Sequence, residues 1–206
     1  YICQAVSEYF LRPVTPEAVV WSFSGVRPLY DDAAGNASKV TRDYHLQLDT
    51  SAAPVVSVFG GKITTYRKLA EQALELLAGP LGVDADSWTA DHPLPGGDMA
   101  DADFETFMVE SRRHYPWLPE DLLQDYADTY GTRISTLLEG CSRMEDLGQH
   151  FGGQLHAREI DYLMTHEYAR SAEDVLWRRT RRGLRVTSEA ADRIDQWMSR
   201  RARVAA

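Results

Sequence analysis

Two cysteines in 206 residues, Cys3 and Cys141, are too few for a disulfide framework, and their separation makes no Cys-x-x-Cys pair. We read them as two buried thiols in a reducing, cytoplasmic compartment. Lysine is scarce too: Lys39, Lys62 and Lys68 are the only three, and arginine supplies the remaining cations. No uncharged apolar run approaches the roughly 18 residues that cross a bilayer. Cationic excess is also missing. Lys and Arg total 22 against 31 Asp and Glu, a net charge of −9, which argues against a general nucleic-acid binder. With 44% hydrophobic and 10% aromatic residues, the chain nevertheless has ample material for a folded core.

Charge is unevenly spread. Residues 91–177 carry 6 basic against 18 acidic side chains, whereas residues 178–206 carry nine arginines against three acids. The run Arg178, Arg179, Arg181, Arg182 and Arg185 is first of all a solvated helix surface, and it could also dock on the acidic segment or meet an anionic partner such as lipid headgroups.

Three strands are expected early in the chain. Ala18–Val26 (AVVWSFSGV) is β-branched and aromatic, and reads as a buried strand leading into a loop. Val40–Leu48 alternates, with Arg42 on the otherwise apolar face beside Tyr44, Leu46 and Leu48. Val55–Phe59 is a short apolar run of the kind found in a sheet covered on both sides. Gly60-Gly61 ends it, and a helix over Thr64–Ala78 stops at Gly79-Pro80. Tyr1–Leu11 reads as part of an amphipathic helix. Residues 80–98 are rich in Pro, Gly and Asp and read as a linker. Beyond it six segments have helical spacing and none a strand pattern: Ala102–His114, Pro119–Tyr130, Arg133–Glu139, Gln154–Glu167, Ser171–Arg182 and Ser188–Arg203. The expected organisation is therefore an α/β (α+β) portion over residues 1–90 followed by a separate all-α domain over 91–206. Tyr115, Trp117, Tyr126, Tyr162, Tyr168 and Trp177 belong to helical patterns and are expected in the core.

The sharpest motif is Gly60-Gly61-Lys62-Ile63-Thr64-Thr65. Consecutive glycines let a ligand approach the backbone, and the first N–H groups of the following helix favour negative charge. It is not a triphosphate-binding loop, because Val56 stands where the first glycine would be and Ile63 follows the lysine. A tight turn with a solvated lysine is the plainer reading. Arg27, placed by Ser24-Gly25-Val26-Arg27-Pro28 at a strand end, and Arg42 are two further cations on elements expected to neighbour Lys62. Together they could clamp a phosphate, though for each taken singly an internal salt bridge is the safer reading. The six histidines match no zinc-ligand spacing, so no metal site is expected, and no Gly-x-Ser-x-Gly elbow is present.

The segments Trp21–Leu29, Thr41-Arg42-Asp43-Tyr44 and Phe59–Ala70, in this order and spacing, resemble the C-terminal part of the FAD-dependent glycerol-3-phosphate dehydrogenases. Leu147–Gly152 and Leu176–Thr180 resemble that family's C-terminal helical domain. The resemblance implies an enzyme that oxidises sn-glycerol 3-phosphate to dihydroxyacetone phosphate with FAD as cofactor and quinone as electron acceptor. It implies that Arg27 and Arg42 hold the substrate, and that Gly60, Gly61, Lys62, Ile63 and Thr64 wrap the pyrimidine side of the flavin. Lys62 would act catalytically by stabilising charge near N1 and O2. The homologous oxidase, with oxygen as acceptor, is the nearest alternative. A helical module for membrane docking or dimerisation is another, with peripheral contact on the cytoplasmic membrane. The Gly-x-Gly-x-x-Gly fingerprint for FAD pyrophosphate is absent from these residues. The family places it, and the general base, upstream of Tyr1, so these 206 residues by themselves are expected neither to hold FAD tightly nor to turn over.

Overall fold

The computed structural model describes residues 1–26, 30, 43–84 and 86–204. Its contacts divide the chain into two compact units: Tyr1–Trp21 with Pro93–Ala206, and Ser22–His92.

The first unit opens with α1 (Ile2–Ser7), shorter than the expected Tyr1–Leu11. The Ser7 hydroxyl donates to the Cys3 carbonyl at 2.7 Å and accepts from the Val14 N–H at 2.9 Å, so the chain folds back there instead of continuing as a helix. A 3-10 turn, Pro16–Ala18, follows.

The strand expected over Ala18–Val26 does not form. The segment runs without regular structure from Val19 to Val26, and Val20, Phe23 and Val26 are 89%, 77% and 95% exposed. β-branched and aromatic composition gives a segment the capacity for a strand, but it does not by itself place one there. Trp21 is an exception to the exposure. Its indole stacks on Trp177 with ring centres 5.1 Å apart, and the Arg181 guanidinium lies 5.0 Å from its centre.

In the second unit, β1 (Tyr44–Asp49) and β2 (Val55–Gly60) pair antiparallel, in register from Tyr44↔Gly60 to Asp49↔Val55. β1 keeps its predicted alternation: Tyr44, Leu46 and Leu48 are half-buried while His45, Gln47 and Asp49 are exposed. The helix α2 (Tyr66–Leu81) packs against both strands. β2 departs from the expected covered strand, since Val55, Val58 and Phe59 stay exposed in a two-stranded sheet. α2 also passes through Pro80, beyond its expected end. Left-handed Gly82 closes it, with the N–H groups of Gly82 and Val83 returning to the carbonyls of Gly79 and Ala78.

The rest of the first unit is mostly helical: α3 (Phe104–His114), α4 (Glu120–Tyr130), the short α5 (Ile134–Leu137), and, after a small hairpin, α6 (Ala157–His166) and α7 (Ser188–Val204). Asp103 caps α3 by accepting the Thr106 N–H at 3.1 Å. The expected helix over Ser171–Arg182 is instead a π-helical turn, Asp174–Arg179, in which the Thr180 N–H returns to the Val175 carbonyl.

The hairpin corrects the all-α expectation. β3 (His150–Gly152) and β4 (Leu155–His156) pair antiparallel across a turn in which Gly152 and Gly153 have φ of 105° and 53°. Strands of two and three residues are too short to show a period, yet they deliver Phe151 and Leu155 into the core, 1% and 0% exposed. That core also holds Leu123, Tyr126, Ile134, Leu137, Ile160, Leu163, Val175 and Ile194. Of the six expected core aromatics, Tyr168 is not there. It is 75% exposed and has a left-handed φ of 59° just past the end of α6. Among the described residues the fold is thus helix-dominated with two small antiparallel sheets.

Candidate functional site

The glycine turn after β2 is built as its sequence implies. Gly60 and Gly61 take φ of 71° and 96°, a region that side chains oppose. Space enforces the choice as well. A Cβ on Gly60 would lie 3.0 Å from the Tyr30 amide nitrogen and 3.3 Å from the Asp43 carbonyl oxygen, and one on Gly61 would lie 3.1 Å from the Tyr44 Cβ.

Lys62 is extended and exposed, and a 3-10 turn (Ile63–Thr65) leads into α2 without a break. The Lys62 carbonyl accepts from the Thr65 N–H at 3.0 Å and from its hydroxyl at 2.8 Å. That leaves the lysine side chain, the bare glycine backbone and the start of a helix on one short stretch. Such a stretch can present a cation and helix-start N–H groups to an anionic or electron-rich group, while the space beside Gly60 and Gly61 is filled by Tyr30, Asp43 and Tyr44. Of the expected site residues, Gly60, Gly61, Lys62, Ile63 and Thr64 are therefore brought together. Arg27 and Arg42 lie outside the described residues.

Further along α2, Glu71 accepts from Ser87 Oγ at 2.6 Å and from Arg67 at 2.8 Å, and also from Thr89 and Lys68. The Ser87 and Thr89 hydroxyls, followed by the two cations, hold its carboxyl down at about 2. This ties residues 87–89 to the helix that follows the glycine turn. Among the described residues, no group of three or more His, Cys, Asp or Glu is arranged to hold a metal ion.

The helical unit contains a polar centre that the sequence did not announce. Glu159 is fully buried, and its Oε1 accepts from Tyr130 Oη at 2.7 Å and from Arg182 Nη2 and Nε at 2.9 and 3.2 Å. Arg182, 4% exposed, also donates to Asp125 and to the Gly153 carbonyl. Burial pushes the Glu159 carboxyl well above its usual range, against the pull of Arg182. Burial opposes the Arg182 charge as well, but Glu159 and Asp125 outweigh it and keep the guanidinium protonated. One residue of the supposed surface run is therefore a core residue. Arg178 is paired too, with Glu173 at 2.8 Å and Asp174 at 2.7 Å. Nothing in the sequence singled out Arg182 from its neighbours, because burial is set by residues distant in the chain.

Residues 87–205 match the family model described as the C-terminal domain of alpha-glycerophosphate oxidase. The chain is 46% identical over 198 residues to a D-erythritol 1-phosphate dehydrogenase of Brucella abortus, covering 96% of the chain and 39% of that protein. It is 44% identical over 200 residues to a glycerol-3-phosphate dehydrogenase of Pseudomonas aeruginosa, with the same coverage. To the aerobic glycerol-3-phosphate dehydrogenase of Escherichia coli it is 40% identical over 200 residues, covering 96% of the chain and 40% of that protein. The chain thus spans about two fifths of the length of these relatives. The family model covers more than half of the chain, and the chain belongs to the family of the C-terminal domain of alpha-glycerophosphate oxidase.

Proposed function

We propose that this chain is the C-terminal portion of an FAD-dependent oxidoreductase that converts sn-glycerol 3-phosphate to dihydroxyacetone phosphate, with membrane quinone taking the electrons. The observation that carries the reading is the Gly60-Gly61-Lys62 turn at the head of α2, in a chain similar over nearly its whole length to two glycerol-3-phosphate dehydrogenases. In this reading residues 1–90 complete the flavin and substrate domain, and 91–206 form the helical domain. FAD, when bound, supplies the acceptor for hydride. Gly60 and Gly61 let the backbone approach its pyrimidine edge. Lys62 and the N–H groups of Ile63 and Thr64 stabilise negative charge there. Arg27 and Arg42 hold the substrate phosphate and oxygens.

The 46% identity to a D-erythritol 1-phosphate dehydrogenase favours a second reading, in which the substrate is a longer polyol phosphate. The oxidase for which the matching family model is described keeps oxygen as a rival acceptor. No helix among the described residues is long and apolar enough to cross a membrane. A peripheral contact of this chain with the cytoplasmic membrane belongs to the same reading, and it could not use Arg182, which is buried.

The test is anaerobic flavin bleaching in the full-length enzyme, with sn-glycerol 3-phosphate and D-erythritol 1-phosphate compared. Lys62→Met should slow bleaching by the preferred substrate roughly 10- to 100-fold with the fold intact, as expected for loss of one preorganised charge. An unchanged rate would remove Lys62 from the site. Admitting oxygen to the reduced enzyme then separates the acceptors, since rapid peroxide formation identifies an oxidase.

A further inference from the structure

A turn containing two glycines has more backbone freedom than any other, so something must hold it if Lys62 is to present its charge in one place. Tyr44 is placed to do this. It faces Gly60 in the β1–β2 register, its Cβ closes the space beside Gly61, and its hydroxyl donates to Gln72 Oε1 at 2.7 Å. Gln72 lies on α2, the helix that the glycine turn leads into. Strand, turn and helix body are thereby joined in a closed triangle, with the Tyr44 ring as its strut. The same two side chains line an open groove with Leu46, Glu75 and Leu76.

We propose that Tyr44 and Gln72 are positioning residues for the Gly60-Gly61-Lys62 turn, and that their hydrogen bond fixes where Lys62 presents its charge. This rests on the flavin reading of the turn given above. Tyr44 packs against the turn at Gly61. Its hydroxyl acts by removing the sideways freedom that the two glycines would otherwise give the lysine.

Sulfite tests this without turnover. It binds oxidised flavin at N5 and leaves negative charge toward N1 and O2, so its affinity reports the positive charge held at that edge. In the full-length holoenzyme, Tyr44→Phe removes the donor while keeping the ring on Gly61, and Gln72→Met removes the acceptor at similar length. Each should weaken sulfite binding about 3- to 10-fold, the effect of one lost hydrogen bond, with FAD content unchanged. The double variant should be no weaker than either single one. Glu75→Gln, in the same groove, should match the wild type.

Unchanged sulfite affinity in both single variants, or additive losses in the double, would overturn the proposal. Should Tyr44→Phe lose its FAD, the exposed Gln72→Met decides. Lys62→Met guards the underlying reading: if sulfite affinity is indifferent to Lys62, the turn is not at the flavin's pyrimidine edge, whatever Tyr44 does.

Discussion

Replacing Arg182 by Met tests the buried centre of the helical unit most directly. Methionine has a similar length and fills most of the space, so the cavity contribution is small and the charge effect dominates. What remains is Glu159, 0% exposed, with Tyr130 as its one surviving donor, together with a Gly153 carbonyl that has lost its partner. Asp125 retains 26% side-chain exposure and can be hydrated. Removing one member of a buried ion pair in this way costs about 3–5 kcal/mol. For a unit of this size the melting temperature should fall by roughly 10–20 °C.

The pH dependence gives an independent check on the same variant. Burial raises the Glu159 carboxyl to about 7 from its ordinary 4.5 even with Arg182 opposing it. The folded value exceeds the unfolded one, so this group's contribution is fully present below about 4.5 and is lost as pH rises through about 7. Without Arg182 the carboxyl moves higher still, and acidifying from pH 8 to pH 5 should recover part of the deficit. A second replacement, Glu159→Leu in the Arg182→Met background, should recover most of it, because apolar residues often substitute for a buried pair without loss. Urea and thermal unfolding followed by near-ultraviolet circular dichroism would measure both variants beside the wild type. A loss below about 1 kcal/mol, or a deficit identical at pH 5 and pH 8, would show that Glu159 and Arg182 are not a desolvated pair.

Two further outcomes follow from the backbone and from Glu71. Gly131 has φ 51° and ψ −134°, and a Cβ there would collide with the Gly96 carbonyl oxygen, so Gly131→Ala should destabilise the helical unit by about 3 kcal/mol or more. Gly140→Ala is the control: φ is 76° but nothing lies within 4 Å, and the cost should stay near 1 kcal/mol in the same urea titration. Equal losses at the two positions would refute the steric account. Glu71, held at about 2 by Ser87 and Thr89, stabilises the chain above its ordinary 4.5, and that contribution is lost as pH falls through about 2. Carboxyl chemical shifts should show Glu71 still ionised at pH 3, and Ser87→Ala should move its titration upward. A midpoint near 4.5 in the intact chain would count against the cluster.

Legibility varied with the range over which a residue's environment is decided. The alternation of Tyr44, Leu46 and Leu48 is written locally, because period 2 follows from the backbone of a strand, and β1 reproduces it. Gly60-Gly61-Lys62 was equally legible, since only glycine accepts both the left-handed φ and the contact with Tyr44. Ala18–Val26 misled because β-branched and aromatic composition records only a capacity for strand, and residues 19–26 take no regular structure. β3 and β4 escaped notice because two or three residues hold no period, although Phe151 and Leu155 are central to the core.

Arg182 marks the division between what the sequence determined and what the tertiary structure decided. In the sequence it stands in a run of like residues, of which Arg178 pairs on the surface with Glu173 and Asp174. Only the folded chain brings Asp125, Gly153 and Glu159, up to 57 positions away, around its guanidinium. The sequence determined the scarcity of lysine and cysteine, the lack of a membrane-spanning run, the glycine turn and most of the helices, because each depends on composition or on neighbours a few residues apart. The tertiary structure decided which cation is buried, which strand has a partner, and that Tyr44 reaches Gln72, because desolvation and pairing depend on elements distant in the chain.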